Sequence, residues 1–147
     1  MIFRFFNVFG EGQDPASPYS GVITVFTKLA REGKPLTCYG GGSQTRDFIS
    51  VHDIVSGCVS ALQVPIEKWV GLPINLGTEK AVTILELANT IARANAHTVD
   101  VVKGPEREGD VQHSLASIER AKNMLGFSPN YDLKTGLNEL LKMKEKN

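Results

Sequence analysis

The amino-acid sequence predicts an α/β fold of short strands and about five helices. Three observations predict it. Strand-like apolar runs alternate with segments whose apolar residues recur at i, i+3, i+4 and i+7. Glycine and proline clusters mark the boundaries between them. The 147 residues are 41% apolar and 22% charged, enough for one buried core; a chain of this size is expected to bury about 68–70% of its unfolded surface. Neither a low-complexity linker nor an internal repeat divides the chain.

Residues 3–9 read as a buried strand that ends at Gly10-Glu11-Gly12, and Pro15 and Pro18 keep the following stretch a loop. Val22, Val25, Phe26 and Leu29 then take helical spacing, Gly33 stands where a C′ glycine would, and Pro35 blocks continuation. Residues 36–39 form a short strand, Gly40-Gly41-Gly42-Ser43 a turn that reaches positive φ cheaply, and residues 48–51 a second strand. The spacing predicts a helix over about residues 52–63, with Val55, Cys58, Val59 and Leu62 as its apolar face. Residues 73–76 are another strand. Thr83-Ile84-Leu85-Glu86 has the form of a capping box, opening a helix that buries Ile84, Leu87, Ala88 and Ile91. Val99 and Val101 alternate with polar neighbours as a strand does, and residues 117–125 form a helix closed by Gly126 ahead of Pro129. Asp132 caps the last helix, whose stripe is Leu133, Leu137, Leu140 and Leu141; Lys142, Lys144 and Lys146 complement its dipole as a solvated end.

Composition excludes several classes of partner. Sixteen Lys and Arg balance sixteen Asp and Glu, so no surplus positive charge recommends nucleic acid or an anionic membrane. No apolar run approaches the ~20 residues of a membrane span. The start lacks the basic, apolar and small-residue order of a signal peptide, and a cytoplasmic location is expected. Cys38 and Cys58 form no CxxC, and His52, His97 and His113 show no ligand spacing, so the cysteines read as small core residues rather than a disulfide or zinc site. Gly10-x-Gly12 meets Pro15 and Gly40-x-Gly42 meets Thr45 where a dinucleotide fingerprint needs its third glycine. P-loop, G-x-S-x-G and H-E-x-x-H are likewise missing.

What remains is a set of polar groups near glycines. Arg46 follows the Gly40 to Gly42 turn and Arg107 follows Gly104-Pro105. Two guanidinium forks converging from separate loops suit a diphosphate, while each taken alone also fits a surface ion pair with a neighbouring carboxylate. Asn7 sits between Phe6 and Val8; a buried amide there either satisfies backbone or faces a ligand cleft at the strand end.

These residues carry a family resemblance. The runs Arg4-Phe5-Phe6-Asn7-Val8-Phe9-Gly10, Gln13-Asp14-Pro15 and Ser17-Pro18-Tyr19-Ser20-Gly21-Val22-Ile23 closely resemble the middle of NAD-dependent nucleotide-sugar epimerases and dehydratases. These are extended short-chain dehydrogenase/reductases, with UDP-glucose 4-epimerase the nearest type. The resemblance continues in order through Gly40 to Phe48, Val51-His52-Asp53, Asn75-Leu76-Gly77, Arg107-x-Gly109-Asp110, His113-Ser114 and Leu125-Gly126-Phe127-Ser128-Pro129. It implies that residues 1–147 are the C-terminal, substrate-binding portion of a Rossmann-type protein, with UDP-sugar as ligand. By the resemblance, Asn7, Arg46 and Arg107 hold the substrate diphosphate and Asp110 accepts ribose hydroxyls. Val22, Ile23, Thr37, Cys38 and Tyr39 belong to the segments around the uracil ring, and Ser114 occupies a position where a small side chain leaves room for an N-acetyl group.

The family's glycine fingerprint and Tyr-x-x-x-Lys are not in this sequence: Tyr19, Tyr39 and Tyr131 lead four residues on to Ile23, Ser43 and Thr135. The expectation is therefore a part with no catalytic residue of its own, from which the N-terminal NAD-binding Rossmann part is absent. NAD serves the parent family but is not expected to bind this chain alone; a separate Rossmann-domain chain is the implied partner. The alternative is a stand-alone, non-catalytic nucleotide-sugar-binding module or a non-functional remnant.

Overall fold

The computed structural model describes residues 1–14, 17, 20–69, 71–95 and 98–142. Pro15, Pro18, Lys144 and Lys146, which enter the expected loop and terminal helix, lie outside the described residues.

The strand expected over residues 3–9 is two strands, β1 (Ile2–Phe5) and β2 (Asn7–Phe9). Pairing explains the break. β1 runs parallel to β5 (Pro73–Leu76), whereas β2 runs parallel to β4 (Thr45–Ser50), so the chain changes neighbours at Phe6, whose N–H donates to the Leu76 carbonyl at 3.0 Å. β4 also pairs antiparallel with β6 (Ala81–Thr83), and β3 (Leu36–Cys38) runs parallel to β7 (Val101–Lys103). β4 starts three residues earlier than the apolar pattern at residues 48–51 indicates, because its first half carries polar residues that still make ladder bonds. It stops at Ser50, whose hydroxyl accepts from the His52 N–H at 3.2 Å and so caps the next helix. Val99 is buried but lies ahead of β7 rather than in it.

The helices are α1 (Val22–Arg31), α2 (Val51–Ala61), α3 (Ile84–Ala94), α4 (Glu119–Leu125) and α5 (Leu133–Lys142). α3 opens with the full reciprocal capping box of Thr83 and Glu86 and buries the four expected residues. Asp132 Oδ2 accepts from the Thr135 N–H at 3.0 Å at the head of α5, and Gly126 closes α4 with φ 63°.

Two helix faces differ from expectation. α1 buries Ile23, Phe26 and Ala30 together with Thr24 and Thr27, while Val25 points outward; Thr27 is accommodated because its hydroxyl donates to the Ile23 carbonyl at 2.9 Å. α2 is turned further. Its buried residues are Asp53, Ile54, Gly57 and Ala61, and the expected apolar face of Val55, Val59 and Leu62 is exposed, with only Cys58 half-buried. Small residues dictate this orientation: a Cβ on Gly57 would lie 3.0 Å from a Leu76 methyl and 3.3 Å from the Phe127 ring, so the helix presses its glycine side against β5 and the start of the 127–132 segment.

The core has two halves. One gathers Phe9, Ile23, Phe26, Leu36, Phe48, Leu87, Ile91 and Leu137 from β2, α1, β3, β4, α3 and α5; the other gathers Ile49, Ile54, Ile74, Leu76, Ile118 and Phe127 around β5, α2 and α4. Phe48 and Ile49, adjacent on β4, enter opposite halves, as the alternation of a strand requires. β4 is thus the wall between them. Cys38 is fully buried and Cys58 half-buried, both as free thiols.

Candidate functional site

The segment 104–114 leaves the carboxyl end of β7, beside that of β3, and runs to the first half of β4. The junction is held by backbone: the Thr45 N–H donates to Gln112 O at 2.8 Å, the Ser114 N–H to Thr45 O at 3.2 Å, the Gly104 N–H to Cys38 O at 2.9 Å and the Gly40 N–H to Pro105 O at 3.0 Å. Gly104 is needed here for space, since a Cβ on it would lie 2.8 Å from the Thr37 methyl and 3.0 Å from the Tyr39 ring.

A polar group is assembled on this scaffold. Arg46 Nη2 donates to Asp110 Oδ1 at 2.7 Å in a largely buried ion pair, and Arg46 Nη1 donates to the carbonyls of Thr45 at 2.9 Å and Val111 at 2.5 Å. Gln44 Nε2 donates to Asp110 Oδ2 at 3.0 Å and to the Tyr39 carbonyl at 3.1 Å. Asn7, two residues beyond the end of β1, donates from Nδ2 to the Asp47 carbonyl at 3.0 Å, so its amide is tied to backbone one residue past Arg46. Asp47 itself is fully buried and does not face the site. Its carboxylate accepts from the Thr78 N–H at 2.8 Å, the Thr78 hydroxyl at 2.6 Å, the Glu79 N–H at 3.0 Å and the Ala116 N–H at 3.1 Å. It fastens the turn after β5 and residue 116 to β4. Gly77 lies within this knot, where a Cβ would lie 2.4 Å from Ala116 Cβ.

The structure therefore brings Arg46 and Asp110 into direct contact, sets Asn7 beside them, and links Tyr39 through Gln44 and Ser114 through Thr45. Thr37 and exposed Tyr39 flank Gly104. Arg107 is exposed at the start of a turn in which the Asp110 N–H donates to its carbonyl at 3.2 Å and Gly109 has φ 78°; no ion pair of Arg107 occurs among the described residues. Val22 and Ile23 open α1; Val22 is half-buried, and Ile23 is buried in the same core half as Cys38 of β3. Gln44 and Asp47 carry no singular signal in the sequence: one follows a glycine turn as an ordinary polar residue, and the other looks like a charge partner for Arg46 until its four donors, all remote in sequence, are seen.

Parallel pairing of β1 with β5, β2 with β4 and β3 with β7, with helices in the chain between the paired strands, defines an α/β protein of the Rossmann type. Residues 1–77, more than half of the chain, match the NAD dependent epimerase/dehydratase family, and the chain belongs to that family. It is 34% identical over 139 residues to dTDP-L-rhamnose 4-epimerase of Burkholderia thailandensis, covering 95% of this chain and 38% of that protein. It is 36% identical over 140 residues to UDP-glucuronic acid decarboxylase 1 of Danio rerio, covering 95% of this chain and 32% of that protein. Among solved structures, UDP-glucose 4-epimerase of Thermotoga maritima, determined with UDP-glucose, superposes with a TM-score of 0.86 at 28% identity over 95% of this chain and 44% of that one. The chain thus spans less than half the length of these relatives, and its fold is that of the C-terminal portion of an extended short-chain dehydrogenase/reductase.

The described residues do not form a cradle for NAD. A dinucleotide cradle is a tight glycine turn leading from a strand straight into a helix N-terminus. Here β2 is separated from α1 by residues 10–21, β4 enters α2 through Ser50, and the Gly40 to Gly42 turn leads into a strand.

Proposed function

We propose that residues 1–147 form the nucleotide-sugar-binding part of an NAD-dependent sugar 4-epimerase of the UDP-glucose/UDP-galactose type. The observation that carries this reading is the Arg46, Asp110 and Gln44 group, with Asn7 beside it, held at the amino end of β4 where the segment after β7 meets it. Arg46, Arg107 and Asn7 supply donors for a diphosphate, and the Asp110 carboxylate accepts ribose hydroxyls. Thr37, Tyr39 and half-buried Val22 border the base, with Ile23 behind them in the core, and Ser114 leaves room beside the sugar. Catalysis then requires the NAD cradle and a proton-abstracting residue from a second, Rossmann-type lobe, on the same polypeptide or on a separate chain. Two surfaces support such a lobe: the exposed Val55, Val59 and Leu62 of α2, and the edge of β1 opposite β5, along which no strand pairs among the described residues. The proposed setting is cytoplasmic, where Cys38 and Cys58 stay reduced. Without a second lobe the same polar group, complete within the chain, makes it a non-catalytic nucleotide-sugar binder.

Calorimetric titration of the chain with UDP-glucose tests the reading common to both. A saturable heat, weakened about tenfold in Arg107→Ala by loss of one charge-assisted contact, is the expected result. No heat at millimolar ligand, or equal affinity in Arg107→Ala, overturns it.

A further inference from the structure

We propose that Gln44 is a positioning residue whose side-chain amide sets the orientation of the Asp110 carboxylate and thereby its requirement for a ribose diol; the ligand half of this inference rests on the function proposed above. Gln44 is 6% exposed, yet it lies in the short link between the 3-10 turn Tyr39–Gly42 and β4, where a polar residue would ordinarily face water. Its backbone is fixed as well, the Gln44 carbonyl accepting from the Ile84 N–H at 3.0 Å at the head of α3. The amide cannot be reversed. Both groups in contact with its outer end, the Tyr39 carbonyl and Asp110 Oδ2, are acceptors, so the nitrogen must face them and both of its protons are committed.

The consequence falls on Asp110. One carboxylate oxygen takes the Gln44 amide and the other takes Arg46 Nη2, an arrangement that fixes the plane of the carboxylate from two sides. A carboxylate offers about four lone-pair directions. Two are filled by protein, which leaves one on each oxygen, the right complement for two adjacent hydroxyls. Arg46 is held by its own bonds to Thr45 O and Val111 O, whereas Gln44 ties Asp110 back to Tyr39, a residue of the wall assigned to the base. Gln44 thus couples ribose recognition to the placement of that wall without touching ligand itself.

Two measurements on the full chain test this. The first needs no ligand: hydrogen exchange of the Gln44 side-chain amide, followed by 15N NMR, is expected to be slow in the wild type and faster in Asp110→Ala. Fast exchange in the wild type overturns the clamp. The second compares UDP with 2′-deoxy-UDP by calorimetry. The wild type should favour UDP by about tenfold, and Gln44→Leu should bring the ratio close to one while weakening UDP itself. An unchanged ratio in a Gln44→Leu chain with wild-type unfolding midpoint reduces Gln44 to a structural residue and overturns the proposal. If the wild type binds neither nucleotide while its Gln44 amide is protected through Asp110, the function reading fails and the clamp stands; if Gln44→Leu does not fold, the exchange measurement decides.

Discussion

Asp47 shows how a charged side chain holds this fold together. It is fully buried on the strand that separates the two core halves, and its two oxygens receive three backbone N–H groups and one hydroxyl. Such a carboxylate is stabilising only because it is saturated; removing it strands several buried donors, each of which costs about 1–3 kcal/mol when unsatisfied. Asp47→Ala should therefore lower unfolding stability by about 3 kcal/mol or more, and Asp47→Asn by less, since its carbonyl oxygen still accepts while its NH2 confronts donors. Urea unfolding of the two variants checks the order. Equal and small losses would show that residues 78, 79 and 116 find other acceptors. This role is not legible in the sequence. Arg46-Asp47 reads as a local charge pair, whereas Arg46 actually pairs with Asp110, 64 residues away, and Asp47 reaches residues 31 to 69 positions downstream.

At the scale of elements, what the sequence discloses is what is decided locally. The capping box of α3 is complete within four residues, so it is readable and correct. α2 is not, because its apolar residues lie all round the helix, and the side that packs is chosen by Gly57 and Ala61, whose value is close approach rather than hydrophobicity. β6, three residues long, is fixed by pairing with β4 and has no pattern of its own. The α3 cap also has a pH dependence with a defined sign. The Thr83 N–H and then the Thr83 hydroxyl hold the Glu86 carboxyl below its ordinary value. A depressed carboxylate contributes stability that is present above its unfolded value, about 4.3, and that disappears as pH falls through the lower folded value. Thermal unfolding of the wild type and Glu86→Gln should accordingly differ at pH 7 and converge in acid below about pH 4. A gap that persists there would assign the effect to packing instead of charge. Thr83→Ala, which removes the other half of the box, should cost about 1 kcal/mol at neutral pH.

At the scale of the whole molecule, the exposed face of α2 separates folding from association. Val55, Val59 and Leu62 are 56%, 54% and 78% exposed, and Ile2 and Phe5 of β1 are about as open, so these side chains add little to the stability of the free chain. Isolated exposed apolar residues need no explanation, but here they recur along one helix and one strand whose further edge lacks a partner among the described residues. If a second lobe covers this face, polar substitution should damage association and spare the fold. Val59→Asp is the sharp case. The free chain should keep its stability within about 0.5 kcal/mol, as surface substitutions do. Its affinity for the remaining part of a longer relative, such as the Thermotoga maritima enzyme of which this chain matches 44%, should fall at least about tenfold, the worth of burying one valine. Co-purification of the two parts followed by sedimentation reads the second quantity, and urea unfolding of the chain alone reads the first. Lost stability with retained association would place Val59 in the core after all. Loss of neither would remove α2 from the interface and leave the β1 edge as the sole support for a two-lobed enzyme.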